Sequence, residues 1–227
     1  MIELENVSKT FVLHNQGGVE IPVLRDVCLA VAPGDCVVPT GASGSGKSTL
    51  MRMIYGKCMA RSGRITVGDA GPAGAEPRKI IRTRRELPGY VSQFLRVAPR
   101  VPALDVVAEP LPSTGSGEEA ARARSTSLLE RLNIPQTLWN LSPTTFSGGE
   151  QQRVNIARGF VRNFPTILLD KPTASPDVAN RDVVPHVIKE AKARGAAIVG
   201  IFHDDTARRQ VCDREIDVTS FNPGAAA

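Results

Sequence analysis

The sequence predicts an α/β fold: a mainly parallel sheet covered by helices, with an N-terminal antiparallel β part and an inserted α-helical subdomain. Three observations carry this prediction. Continuously apolar runs such as Cys36-Val37-Val38, Thr166-Ile167-Leu168-Leu169 and Ala196 to Phe202 alternate with helical stretches, the pattern of strands buried on both faces by crossover helices. A glycine-rich turn, Gly41-Ala42-Ser43-Gly44-Ser45-Gly46-Lys47-Ser48, separates the first of these runs from a helix. Between Phe94 and Pro143 the pattern changes to short helical pieces broken by Pro110, Pro112, Gly115, Gly117 and Pro135.

A chain of 227 residues is long enough for one domain with a core and one insertion. The expected division is a core of residues 1–93 and 144–220, a helical subdomain of residues 94–143 and a flexible tail of residues 221–227. With 41% hydrophobic and only 4% aromatic residues, the core is expected to be aliphatic. The formal charge of +5 suits anionic ligands, and phosphates account for it. The densest basic patch, Arg78 to Arg85, reads as a solvated face, so no nucleic-acid partner is expected. Cys28, Cys36, Cys58 and Cys212 lie far apart with no Cys-x-x-Cys spacing, which points to reduced thiols and neither zinc nor a redox pair. No secretory signal is read, and no apolar run approaches the roughly 18 residues of a spanning helix. A cytoplasmic protein without membrane insertion of its own is expected, any work at a membrane passing through a partner.

In chain order, Ile2 to Val7 and Val23 to Val31 read as strands joined through the turn residues His14 to Gly18, an antiparallel hairpin. Phe11 on that hairpin is either a core aromatic or a platform for an adenine ring. Ser48 to Ile54 opens a helix, Gly63 to Val67 is a strand, and Gly89 to Gln93 is another. Leu104 to Leu111, Glu118 to Leu132 and Leu138-Trp139 form the helical insertion. Ser147 suits a helix N-cap, with Glu150 three residues later completing a capping box. A strand ending at Asp170, a helix over residues 178–194 closed by Gly195, and a strand running into His203 follow.

The glycine-rich turn fits G-x-x-x-x-G-K-[ST] at every fixed position. Its glycines let backbone N–H groups turn inward as a nest for phosphate oxygens, and the helix N-terminus adds its positive dipole end. Gly41, Ala42, Ser43, Gly44, Ser45, Gly46, Lys47, Ser48 and the adjoining Thr49 form the candidate nucleotide site. Lys47 would reach the β- and γ-phosphates and Ser48 would hold Mg²⁺. The fold class thereby narrows to a P-loop NTPase with a RecA-like sheet. Strand C-termini would gather Gln93, Asp170 and His203. Asp170 would hold Mg²⁺ opposite Ser48, Gln93 would complete the metal shell or orient water, and His203 would contact the γ-phosphate.

Together with Phe146-Ser147-Gly148-Gly149-Glu150-Gln151-Gln152, these stretches resemble the ATP-binding-cassette (ABC) ATPases over essentially the whole chain. The resemblance implies ATP and Mg²⁺ as ligands, and it implies roles: Phe11 for adenine stacking, Gln93 for the Q-loop, Asp170 for Walker B, Asp177 for the D-loop and His203 for the switch. It also implies a second cassette as partner. ATP would then lie between one chain's phosphate loop and the other's Ser147, Gly148, Gly149 and Glu150. Within the superfamily, Ser92 to Val97, Phe146 to Phe160, Arg194 to Asp204 and the insertion from His14 to Leu24 resemble the L-subunit family (PhnL) of the phosphonate carbon–phosphorus lyase system. That likeness implies soluble lyase subunits as partners and a role in phosphonate catabolism. Two other readings stay open: the ATPase subunit of a membrane exporter of the lipoprotein-release or macrolide type, and a non-hydrolysing regulatory cassette.

Where the family has a Glu after the Walker B Asp, this chain has Lys171. An ammonium beside a triphosphate stays charged and does not serve as a general base, so slow hydrolysis at this chain's own site is expected. A heterodimer fits that departure better than a homodimer, because the intact Ser147 segment could complete a competent partner's site. Pro39, Pro88, Pro176 and Pro185 raise the expectation of local bends or a weakened fold, Pro185 above all if it lies mid-helix, where it costs roughly 3 kcal/mol.

Overall fold

The N-terminal hairpin is longer than its sequence suggests. In the computed structural model, which describes residues 1–68, 88–111, 117–172 and 182–223, β1 runs Ile2–Leu13 and β2 runs Val19–Val31. They pair antiparallel from Ile2 opposite Val31 to Leu13 opposite Val19. Gly17 and Gly18 take positive φ of 67° and 77° to close the turn. On its other side β1 pairs with β4, Ser62–Val67, giving a three-stranded antiparallel sheet in the order β2-β1-β4.

Among the described residues the second sheet has five parallel strands. β3 is Cys36–Thr40, β5 Pro88–Val91, β6 Thr166–Asp170, β7 Ala197–Ile201 and β8 Arg214–Asp217, in the order β5-β6-β7-β3-β8. Every residue of β6 and β7 is buried, as strands covered on both faces require. β8 is mostly exposed because it is an edge. Its sequence, Arg-Glu-Ile-Asp, carries no apolar run to announce a strand.

Alternating side chains of the parallel sheet feed two cores. Val37, Leu168, Val199 and Ile201 pack with Ile2, Leu24 and Val27 of the antiparallel sheet and with Leu50, Met51 and Met53 of α1, Lys47–Ile54. On the opposite face Val38, Ile167, Leu169 and Ile198 meet the remaining helices: α2 (Ala103–Ala108), α3 (Glu118–Arg131), α4 (Gly148–Phe160), α5 (Val183–Ala193) and α6 (Asp205–Val211). Each fully buried aliphatic side chain contributes about 1.5–3 kcal/mol. α4 sits hard against β5, since a Cβ on Gly89 would stand 2.6 Å from the Gly159 carbonyl oxygen. That close approach fixes the helix carrying the Ser-Gly-Gly segment.

The described prolines sit where a proline is tolerated, and the mid-helix place expected for Pro185 is corrected. Pro185 is the third residue of α5 rather than a mid-helix residue. In that first turn its missing N–H has no intrahelical partner to lose. Pro88 opens the edge strand β5. At Pro39 the β3–β7 register has already ended at Val37, while the β8 side continues to Thr40. Pro176 lies outside the described residues. A second correction concerns the tail: Phe221, placed in it by sequence, ends the 3₁₀ turn Val218–Phe221 and packs against the core beneath the antiparallel sheet.

Candidate functional site

The phosphate loop joins the end of β3 to the start of α1. Gly41, Gly44 and Gly46 all take positive φ, at 124°, 84° and 104°. A Cβ at Gly46 would approach Leu24 Cδ2 to 2.9 Å, and one at Gly41 would come within 3.0 Å of Ser45 Oγ and Thr219 Cγ2. Glycine is therefore demanded by backbone and by space. The first turn of α1 has no side-chain cap, which leaves its N–H groups for an anion. The Lys47 ammonium donates to the carbonyl oxygens of Gly41 and Ala42, both at 2.7 Å. Burial lowers its pKa, and the nearby charge of Lys171 lowers it further.

A cleft of about 320 Å³ opens over this loop, lined by Gly44, Lys47, Ser48, Lys171, His203 and Arg208 among others. Strand ends deliver the side chains: Thr40 leads into the loop, Asp170 ends β6, and His203 follows β7 by two residues. Asp170 is only 8% exposed, and its buried Oδ1 has no hydrogen-bond partner among the described residues. Burial pushes its pKa up, and Lys171, Arg52, His203 and Lys57 pull the other way. The Ser48 hydroxyl and the Asp170 carboxylate are oxygen donors of the kind Mg²⁺ takes, and they line neighbouring clefts. Lys171 holds a left-handed backbone, φ 57°. Its N–H donates to the Ile201 carbonyl at 2.9 Å, and its own carbonyl accepts from Gln152 Nε2 at 3.5 Å.

Other predicted residues fall elsewhere. Gln93 lines a second, wider cleft of about 950 Å³ together with Asp170, Arg52, Tyr90, Arg96 and Asn155. Asp170 thus borders one cleft and Lys171 the other. Phe11 is 37% exposed on the hairpin, opposite Ile21, with Lys9 Nζ 4.8 Å from its ring centre. It is not the core aromatic that its spacing allowed. Ser147 caps α4 and closes the capping box: its N–H and hydroxyl donate to Glu150 Oε2 at 2.9 and 2.7 Å. Ser147, Gly148, Gly149 and Glu150 line neither cleft, in keeping with a segment that faces outward. Asp177 lies outside the described residues. Three residues were given no role by the sequence: Arg208, on a short helix that no motif marks, and the buried amides Gln152 and Asn155.

Residues 24–174 match the ABC transporter family. The chain belongs to that family. As an ABC cassette it is 35% identical, over its whole length, to the macrolide export ATP-binding/permease protein MacB of Burkholderia pseudomallei strain K96243, covering 35% of that protein. To MacB of Escherichia coli it is 34% identical over 95% of the chain and 34% of the relative. The chain thus spans about a third of the length of these relatives. The ABC transporter ATP-binding protein YtrE of Bacillus subtilis is matched at 32% identity over 90% of this chain and 89% of the other. In structure the cassette is similar to the dimeric ATP-binding cassette MJ0796 bound to ADP and Pi, with a TM-score of 0.87, 28% identity and coverage of 96% and 95%.

These findings confirm the ABC fold and ATP with Mg²⁺ as the ligands of the cassette. They overturn the assignment to phosphonate catabolism and to soluble lyase partners, because the relatives are macrolide-export proteins and YtrE. The physical reason is plain. Gly-Lys-Ser, Ser-Gly-Gly-Glu and the strand-end Asp and His were read for phosphate chemistry, and a phosphate site does not tell one partner system from another. Among the described residues no helix is long and apolar enough to cross a membrane.

Proposed function

We propose that this cassette is the ATP-binding subunit of an export complex, working on the cytoplasmic side of a membrane permease and paired with a second cassette. Its likeness to MacB and YtrE supports the exporter reading, and the dimeric MJ0796 supports the pairing. The observation that carries the chemistry is the convergence of Lys47, Ser48, Lys171 and His203 on one cleft, with Asp170, the residue before Lys171, lining the neighbouring one.

In this reading the loop N–H groups and Lys47 bind the phosphates, Ser48 and Asp170 hold Mg²⁺, and Phe11 offers its ring to the base. Mg²⁺ when bound neutralises the developing charge on the phosphates. Gln93 reaches the metal or the attacking water, and His203 contacts the γ-phosphate. Asp177, Ser147, Gly148, Gly149 and Glu150 act across the pair. Lys171 attracts the γ-phosphate without accepting a proton from water, so turnover at this site is slower by about 10²–10⁴-fold than with a carboxylate there.

Purification from membranes through a tag on this chain tests the partner. Recovery of an integral membrane protein supports the export complex; recovery of soluble proteins alone contradicts it. Lys171 also favours a second reading, a cassette that binds ATP for regulation and never turns it over. ATP hydrolysis by the recovered complex above that of the chain alone argues against that second reading.

A further inference from the structure

α4 carries two amide side chains where a helix packed against a sheet ordinarily carries apolar ones. Gln152 and Asn155 are 7% and 2% exposed, and lie three residues apart on one face. Asn155 Nδ2 donates to the Ser92 carbonyl oxygen at 2.6 Å and to Gln152 Oε1 at 3.4 Å. Gln152 Nε2 in turn reaches the Lys171 carbonyl at 3.5 Å. One helix therefore grips the backbone just before Gln93 and just after Asp170. The short bond is the one at Ser92, whose hydroxyl also donates to the Phe94 carbonyl at 2.7 Å. Ser92 is thus held at its carbonyl and at its side chain, and the turn so fixed leaves Gln93 facing the cleft that Asp170 lines.

A buried amide is costly unless satisfied, and a network of this kind rigidifies what it joins. The helix itself gains nothing from asparagine, whose helix propensity is poor. The gain lies at Ser92: without Nδ2, a partly buried carbonyl at the root of the Gln93 turn loses its donor. We propose that Asn155 is a positioning residue for Gln93, holding the turn at Ser92 so that the glutamine amide faces Asp170. The Mg²⁺-dependent part of ATP binding then depends on Asn155 through Gln93. This rests on the reading of Ser48, Asp170 and Gln93 as the metal side of the ATP site.

The experiment compares the native chain with Asn155→Leu, Asn155→Ala, Gln93→Ala and the double variant Asn155→Leu/Gln93→Ala. ATP affinity is measured with Mg²⁺ and with a chelator, and backbone hydrogen exchange is followed without nucleotide. Exchange at Gln93 and Phe94 is expected to quicken in both Asn155 variants while the interior of α4 keeps its protection. The affinity gained from Mg²⁺ is expected to fall about 10- to 100-fold in each single variant, the range for removing the support of a metal ligand. The double variant should lose no more than Gln93→Ala, and affinity in chelator should hold. Losses that add in the double variant, equal losses with and without Mg²⁺, or unchanged exchange at Gln93 would each overturn the proposal. A native chain that binds no Mg·ATP contradicts the reading of the site instead. The exchange measurement, which needs no nucleotide, separates the two failures.

Discussion

Lys171 and Lys47 line the same cleft, and the charge of one adds to burial in pulling the ammonium of the other below its ordinary pKa. Two cations crowded at a triphosphate site repel each other until an anion arrives. Their repulsion is therefore relieved by the ligand with most charge at that position. Lys171→Ala is expected to weaken ATP binding more than ADP binding, by roughly tenfold at low salt, with the difference shrinking as salt is added. Titration calorimetry at two ionic strengths measures it.

The phosphate loop offers a matched pair of substitutions. Gly46→Ala meets Leu24 and an unfavourable φ of 104°, whereas Gly44→Ala, at φ 84°, meets nothing within 4 Å. Left-handed backbone costs an L-residue about 1–2 kcal/mol, so Gly44→Ala loses about that amount of stability. Gly46→Ala should lose more, and with it most of the ATP affinity. Thermal unfolding and nucleotide binding on both variants check the order.

Burial holds the Asp170 carboxyl at the expense of stability. Its folded pKa is raised by burial, so the native chain binds that proton more tightly than the unfolded chain does. Stability from this group is fully present below the ordinary value of 3.8 and is lost as pH rises through the raised folded value. Asp170→Asn is therefore expected to unfold at higher temperature than the native chain at neutral pH, without nucleotide, while losing the Mg²⁺-dependent part of ATP binding.

Much of this was legible wherever chemistry and local geometry coincide. The Ser147–Glu150 capping box needs only four consecutive residues, and it stands in the structure with both reciprocal bonds. Asp170 and His203 follow apolar runs, so their place at strand ends could be read directly. β8 could not be read, because a polar edge strand has no hydrophobic period. Nor could the separation of Gln93 from the loop cleft, since spacing does not say which way a strand end turns. Asn155 looks in sequence like any solvated helix residue; only its burial and the Ser92 carbonyl give it a role. Partner choice is not legible for a related reason: motifs that speak of phosphate say nothing of the protein bound beside it.

Hydrogen bonds from Ser147 hold the Glu150 carboxyl below its ordinary pKa of 4.5. The stabilisation is present above that value and is lost as pH falls through the lower folded one. Ser147→Ala is expected to cost about 1 kcal/mol at neutral pH, and less in acid, where the box is already broken. Urea unfolding of both proteins at neutral and acid pH measures the difference.

On the proposed reading, Lys171 sets the pace of this site. A glutamate at 171 inherits the same left-handed backbone, φ 57°, so Lys171→Glu changes charge and basicity at little cost in conformation. Single-turnover hydrolysis of bound ATP by the native chain and by Lys171→Glu, with affinity measured beside it, is the direct test. The expected result is ATP binding by both and hydrolysis faster by about 10²–10⁴-fold in Lys171→Glu. Equal rates in the two proteins would mean that Lys171 does not limit turnover.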